Sequence, residues 1–473
     1  MTTRARWLDG HESQSSFEFF CAVTVPELSR FFGRAFWRSL PSASQQFPPV
    51  GSALLAVASL HRRYKELGDS NSYRAAGKPG PDKFAVVHYG KALRQIIHDM
   101  AKGDRARPHC RLMYLVCGVL FIIVEVLQGD NRKALAHLDG AIALLEEPRD
   151  TTTAGQLLMT DLEQELRPII SRFDVEASIF STKRPPRLTL PPLASLGQDD
   201  DARIRLFPLD QAAHELNNLI AHVLHFKRTR ANTLRYETGG DIPPEALQTQ
   251  QQLAAHFQRW WQSAAAPLSA ISPLIDPERF TRATLLRIQY HAMWTMLKCC
   301  LNAEETDYDR YLDGFSELVR LVGLLVETHH HQWAISTSTG TTSRSFSPET
   351  GIVFPLYWTC LRCRDGRVRR TALHLLRKCS QEGVWIPEIH ARVAERAMEV
   401  EGGGVSRESS LSLEDTDELP FPSCTDVYEF RRIHCVGLDV DEPRQVVRMT
   451  YHRRLNGPDG GWNVDQEWLY YGN

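Results

Sequence analysis

From Leu112 to Val124 the chain runs thirteen residues without a charge. Leu112, Val116, Val119, Ile123 and Val126 form one stripe at spacings of four and three, while Leu115, Leu120, Phe121 and Ile122 cover the remaining sides. A helix that is apolar nearly all round holds its place only when other helices wrap it, so this segment is expected at the centre of a helical core. Its uncharged run falls short of the roughly eighteen residues a bilayer span requires, and no membrane association is expected. Four-and-three stripes recur at Ala53, Val57, Leu60, Tyr64 and Leu67, at Leu286, Tyr290, Met293, Leu297 and Cys300, and at Tyr311, Phe315, Leu318, Val322 and Leu325. No alternating pattern of similar quality precedes residue 420. The fold expected is all-α, a large domain of stacked antiparallel helix pairs, with a small β-hairpin formed after residue 424 by Gln445–Tyr451, a Gly/Pro turn and Trp462–Tyr471.

Gly129 stands where the apolar helix should stop, and Asp130 or Asn131 where the next should be capped, which predicts a tight helical hairpin. His88-Tyr-Gly-Lys-Ala-Leu-Arg-Gln-Ile and His137-Leu-Asp-Gly-Ala-Ile-Ala-Leu-Leu repeat weakly at an offset of 49 residues. Three composition breaks divide the 473 residues. They give a disordered leader over 1–16, an amino-terminal helical block over 17–182, a Pro-rich then acidic linker over 183–202 and a second helical block over 203–400. An acidic linker at 401–423 and a terminal β-hairpin segment at 424–473 follow, and a Ser/Thr tract at 334–350 reads as a loop.

A formal charge of −2 gives no global field toward nucleic acid or anionic lipid. The ten cysteines, several inside apolar runs and without a secretory signal ahead of them, point to a reducing compartment. No phosphate-binding glycine loop, nucleophile elbow or His-Glu-x-x-His appears, and His11-Glu12 lies in the polar leader. His329, His330 and His331 point three ways round a helix and cannot meet one ion, and Cys360-x-x-Cys363 with Cys379 lacks the fourth ligand of a closed zinc site. Those two thiols are expected in the core, and His222 and His225, at i, i+3 among aliphatic neighbours, are expected to be satisfied core or surface histidines rather than ligands. No acid, base and nucleophile can be grouped from the sequence, so neither a catalytic residue, a cofactor nor a metal is assigned. The local anion-binding candidate is Arg362-Cys-Arg364-Asp-Gly-Arg367-Val-Arg369-Arg370, with Glu388, Glu395 and Glu399 as the nearby acids to pair with it if it is a solvated corner. Glu125, at the end of the apolar helix, is expected to find Lys133 or His137 across the hairpin.

Several passages resemble one family. Ala53-Leu-Leu-Ala-Val-Ala-Ser-Leu-His61, Tyr89-Gly-Lys-Ala-Leu-Arg94, Leu120 to Asn131 with Glu125, Gln128 and Gly129, and Ala136-His137-Leu-Asp-Gly140 look like the middle homology region of fungal binuclear zinc-cluster transcription factors. Phe19-Phe20 to Trp37 fits the same region. Phe354-Pro355-Leu-Tyr357, Cys363-Arg-Asp365, Arg369-Arg370, Leu375-Leu376, Glu382-Gly-Val-Trp385 and Ala394-Glu395 are similar to the carboxy-terminal signature of that group. The resemblance implies an all-α regulatory domain in which Glu125, Gln128, Gly129, His137, Pro355, Cys363, Asp365 and Trp385 are structural. It implies no zinc ligand here, because the family's DNA reader is a six-cysteine cluster and Cys21 is the only cysteine before Cys110. The function expected is that of a nuclear co-regulator of a fungal secondary-metabolite gene cluster, without enzymatic activity. Its expected partner is another transcription factor or a second copy of itself, with DNA reached indirectly or through an amino-terminal segment missing here, and with room for a small-molecule effector. The alternative is a cytosolic helical scaffold or ligand-binding module.

Overall fold

The computed structural model describes residues 8–30, 32–69, 82–102, 108–147, 157–193, 208–237, 242–336, 346–348, 351–402, 423–441, 444–457 and 461–472; at 67–69, 108–109, 157–163, 237 and 329–336 it describes the backbone alone. The first block contains α1 (His11–Phe19), continued by one π-helical turn (Phe20–Thr24) into α2 (Val25–Leu28), then α3 (Arg34–Gln46), α4 (Pro48–Asp69), α5 (Lys83–Ala101), α6 (Pro108–Gln128), α7 (Asn131–Glu146) and α8 (Leu157–Phe180). The second contains α9 (Leu209–Phe226), α10 (Asn232–Glu237), α11 (Pro244–Ser269), α12 (Pro277–Cys299), a 3₁₀ segment (Glu305–Tyr311), α13 (Leu312–Ser336), α14 (Val353–Arg362), α15 (Gly366–Leu376) and α16 (Pro387–Glu401). The chain is all-α except at its end. There β1 (Cys435–Asp441), β2 (Val446–Arg453) and β3 (Asn463–Tyr470) form an antiparallel sheet in that order. The expected hairpin is β2–β3; β1 escaped notice because Gly437 and Asp439 break its alternation, and Asp439 is held by Arg448 of β2 at 2.7 Å.

α6 is the centre of the first block: its stripe and its other apolar sides are all buried. Counted as a helix rather than as an uncharged run, Cys110–Gln128 is long and apolar enough to cross a membrane, but 78% of that stretch is buried inside the protein, as in a core helix. The α6–α7 hairpin closes as expected. Gly129 takes φ +78°, its N–H donates to the Val126 carbonyl at 3.1 Å, and the Asp130 N–H reaches back to Glu125 O at 2.9 Å. Asp130 then caps α7 by accepting from the Lys133 N–H at 3.0 Å.

Two expected boundaries move. Residues from His11 onward are helical, not a leader: α1 buries Ser13 and Ser16, and Arg62 of α4 donates to the Ser15 carbonyl at 2.7 Å. His11 and Glu12 face solvent on this helix. The linker placed at 183–202 is a strap over its described part, to residue 193. The buried Asp174 carboxylate accepts from Arg184 at 2.6 Å and from the Arg187 and Leu188 N–H groups at 2.7 and 2.8 Å, while His222 meets the Pro191 carbonyl at 2.9 Å. A buried acid needing several donors explains why this Pro-rich stretch is pinned. Residues 194–202, the Ser/Thr tract apart from 334–336, which is helical at the end of α13, and 346–348, and the acidic stretch from 403 to 422 lie outside the described residues.

The blocks exchange side chains. Phe32 joins the core of the second block, stacked under Arg172 at 3.6 Å, while Phe346, 1% exposed, is seated in the first block beside His61 and Tyr64. The Phe346 N–H donates to Glu27 Oε2 at 3.0 Å. Phe346→Ala should cost about 3–5 kcal/mol by opening a cavity in the first block, measured by urea denaturation against wild type.

Candidate functional site

The densest polar constellation lies where the second block receives the carboxy-terminal segment. Arg362 ends α14, and Arg369 lies on α15, whose first turn is capped by Asp365 through the Arg367 and Val368 N–H groups at 3.1 and 2.9 Å. The short connection throws Arg364 inward, where it is 1% exposed. Its guanidinium bridges Glu305 Oε2 at 2.9 Å and Glu401 Oε1 at 2.8 Å. Arg362 and Arg235 also meet Glu305, both at 2.6 Å, and Arg369 meets Glu401 at 2.7 Å. The arginine excess is absorbed by carbonyl oxygens: Arg362 donates to Ile433 O and His434 O, Arg364 to Ile433 O and Arg369 to Cys360 O. In return the Ile433 N–H donates to Glu401 at 2.7 Å, and Glu429 accepts from the Glu305 and Thr306 N–H groups at 2.9 Å. Arg432 completes the array with a bidentate grip on Asp309 at 2.8 and 2.7 Å.

Burial by itself would raise both central acids; the arginines outweigh it, holding Glu305 far below the carboxylate range and Glu401 at about 2. The five candidate arginines are thus split. Arg362, Arg364 and Arg369 are inside and committed to carboxylates, leaving Arg367 exposed and Arg370 half-buried. Their partners are Glu305 and Glu401, not the acids expected: Glu395 pairs with Arg377 and Arg392, Glu399 with Arg396 and Arg392, and Glu388 shows no contact to the stretch among the described residues. Cys360 and Cys363 are buried in the same core, and burial pushes both thiols up to about 12.

The remaining motif residues are structural contacts. Glu125 accepts from the Tyr89 hydroxyl at 2.7 Å, and that hydroxyl also meets His137 Nε2 at 2.8 Å; the expected partners His137 and Lys133 stand further off, at 3.9 and 4.0 Å. Gln128 is exposed at the end of α6. Pro355 is buried in α14, where its carbonyl accepts from Thr359, and Trp385 packs on Phe354, His390 and Phe180. The histidine trio lies where side chains are outside the described residues. Glu382, unremarked in sequence beyond its motif, caps α14 by accepting from the Gly351, Ile352 and Val353 N–H groups at 2.8 to 2.9 Å. A Cβ at Gly351 would sit 2.7 Å from Glu382 Oε1, so any side chain there must displace the capping carboxylate. Burial pushes Glu382 up to about 7, against the pull of those three donors.

One grouping that sequence reasoning missed has the form of an acid–base–nucleophile chain. Thr24 Oγ1 lies 3.0 Å from His61 Nδ1, and His61 Nε2 lies 3.0 Å from Glu27 Oε2, with Lys65 on the other carboxylate oxygen at 2.5 Å. The three residues come from the π-helical turn, α2 and α4, and only the pairing of Thr24-Val-Pro-Glu27 with a histidine in an apolar run hinted at it. Burial would raise Glu27, but His61, Lys65 and the Phe346 N–H hold it at about 2. Thr24 and His61 are fully buried, Phe346 lies over them, and neither of the two described cavities includes them. The chain therefore clamps α2, α4 and the Phe346 segment together.

Residues 17–182 match the family model described as a fungal specific transcription factor domain. No curated protein and no solved structure matches the chain. The resemblance read from the residues is thus met over the first block, which is similar to that domain.

Arg364→Met should leave Glu305 and Glu401 facing each other with one fewer cation and cost about 3–5 kcal/mol, read by denaturant unfolding. Because Glu27 and Glu401 are depressed to about 2, their contributions are complete above the ordinary carboxylate pKa of 4.5 and are lost as pH falls toward 2. Glu382 is raised to about 7, so its contribution has the opposite sign and falls as pH rises from 4.5 to 7. Unfolding free energy measured across pH 3 to 8 should show both limbs, and Glu382→Gln should flatten only the second.

Proposed function

We propose that this chain is a nuclear transcriptional co-regulator of a fungal secondary-metabolite gene cluster, reaching promoters through a DNA-binding unit that these 473 residues do not supply. The transcription-factor domain over residues 17–182 supports the regulatory part. The observation that carries the rest is the fate of the arginine stretch: three of its five guanidiniums are spent on Glu305 and Glu401. The chain's formal charge of −2 supplies no compensating field. Zinc-cluster cysteines are absent as well, since Cys21 stands alone before Cys110. What the fold offers instead is a large helical surface with which to bind another protein. The burial of Thr24 and His61 agrees with a non-enzymatic role.

Deletion should lower transcripts of the neighbouring biosynthetic genes several-fold, and a fluorescent fusion should enter nuclei under inducing conditions. The purified chain should not retain promoter DNA by itself but should do so with its partner factor. Unchanged transcripts remove the regulatory reading; a six-cysteine reading frame continuous with Met1 in the upstream genomic DNA would make the chain part of a factor that reads DNA directly.

A further inference from the structure

The outer face of α5 carries an unused apolar row. Four of the large hydrophobic side chains exposed among the described residues lie on this helix, more than on any other: Val86 at 51%, Val87 at 60%, Ile97 at 57% and Met100. Single apolar residues on a surface are ordinary; a row of them is not. Val86, Gly90, Leu93, Ile97 and Met100 follow one another at spacings of four and three, the pattern of a seam that meets a second helix. The inner face of α5 is already occupied: Ala85, Ala92 and Ile96 are buried where the helix lies along α4, and the Tyr89 hydroxyl donates to Glu125 of α6. Asp82 caps α5 through the Ala85 N–H at 2.9 Å and accepts from the Ser59 hydroxyl of α4 at 2.8 Å, so the seam stands on a helix that is ordered before anything meets it.

The helical repeat places Lys83, Lys91, Arg94 and His98 on the strip beside this seam, on the side away from Ala85 and Ala92. All four are exposed, and none of them forms an ion pair among the described residues. No carboxylate of α5 answers them: Asp82 is committed to the cap, and Asp99 falls on the inner side with Ala85 and Ala92. Arg94 curls back over Gly90, where a Cβ would sit 3.4 Å from the guanidinium Nη1. Gly90, Leu93, Arg94 and Ile97, at i, i+3, i+4 and i+7, thus frame a hole whose glycine corner bears no side chain and whose rim carries a guanidinium.

We propose that this face of α5 docks an amphipathic helix of another protein, whose apolar stripe lies along the seam and whose acidic residues run beside it against Lys91 and Arg94. Charge selects that occupant. A carboxylate next to the stripe meets a cation that has no partner in this chain, whereas a second copy brings the same basic strip and no free carboxylate of α5. An anionic membrane is a poorer fit, because Val86, Leu93, Ile97 and Met100 include no aromatic ring to anchor the helix at a lipid interface. This inference does not depend on the transcriptional reading, and its test does not use transcription.

The probe is a fluorescent amphipathic peptide about five turns long, with Leu along a four-and-three stripe and Glu along the adjoining strip. By anisotropy at low ionic strength the full chain should bind it with a dissociation constant on the order of 10 μM, and a peptide with Lys in place of each Glu should bind at least about 10-fold more weakly. Val86→Gln combined with Ile97→Gln puts a good helix former at exposed positions, so the melting temperature should stay as in wild type while binding weakens by about 10-fold. Lys91→Glu combined with Arg94→Glu should reverse the preference and make the Lys peptide the tighter ligand. No binding of the Glu peptide, equal affinity for the two peptides, or affinities unchanged in the two variants each overturns the proposal. So does a dimer of the full chain, or its binding to phosphatidylserine vesicles, that is lost with Val86→Gln and Ile97→Gln, since either result gives the seam to a different occupant.

Discussion

Glu305 and Glu401 are buried acids that the second block tolerates because Arg364 lies between them and further arginines surround them. Removing two carboxylates from water costs several kcal/mol each, and the cost is met here by short contacts to Arg235, Arg362, Arg364 and Arg369 and by the Ile433 N–H. An apolar core of the same volume would hold these helices at least as well. What the charges add is geometry: guanidiniums have donors left over, and those donors select the Ile433 and His434 carbonyls and so fix where the carboxy-terminal segment crosses α14 and α16. The sheet that follows, β1 to β3, inherits its position from that crossing.

A second set of acids does the same for the junction between the blocks. Glu27 holds the Phe346 N–H and Glu382 holds the first N–H groups of α14, so the approach to α14 within the second block is held at two points by buried carboxylates. Asp174 grips the other connection through Arg184, Arg187 and Leu188. In each case backbone donors outside the helical hydrogen-bond ladder are satisfied by one buried acid.

The helices were legible because their signal is local. A stripe at three-and-four spacing, the glycine at 129 and the aspartate at 130 each act within a few residues, and each is found doing what its neighbours implied. The charge array was not legible because its partners are distant: Arg364 finds Glu305 59 residues back and Glu401 37 residues ahead. Glu305 sits in Glu304-Glu-Thr-Asp-Tyr-Asp-Arg310, which reads as any solvated acidic turn. A hint was present in Arg362 and Arg364 flanking Cys363 after an apolar run, since a charge that close to core thiols is either at a boundary or buried with a partner. Likewise the Thr24–His61–Glu27 chain depended on a 34-residue separation that no spacing rule anticipates.

The seating of Phe346 has a consequence for synthesis. When the ribosome has delivered residues 17–182, α1 to α8 can assemble around α6, yet the slot beside His61 and Tyr64 has no occupant and Glu27 lacks one donor until more than 160 further residues have emerged. During that interval the nascent first block carries an open apolar notch, which closes only when a phenylalanine from far along the chain arrives.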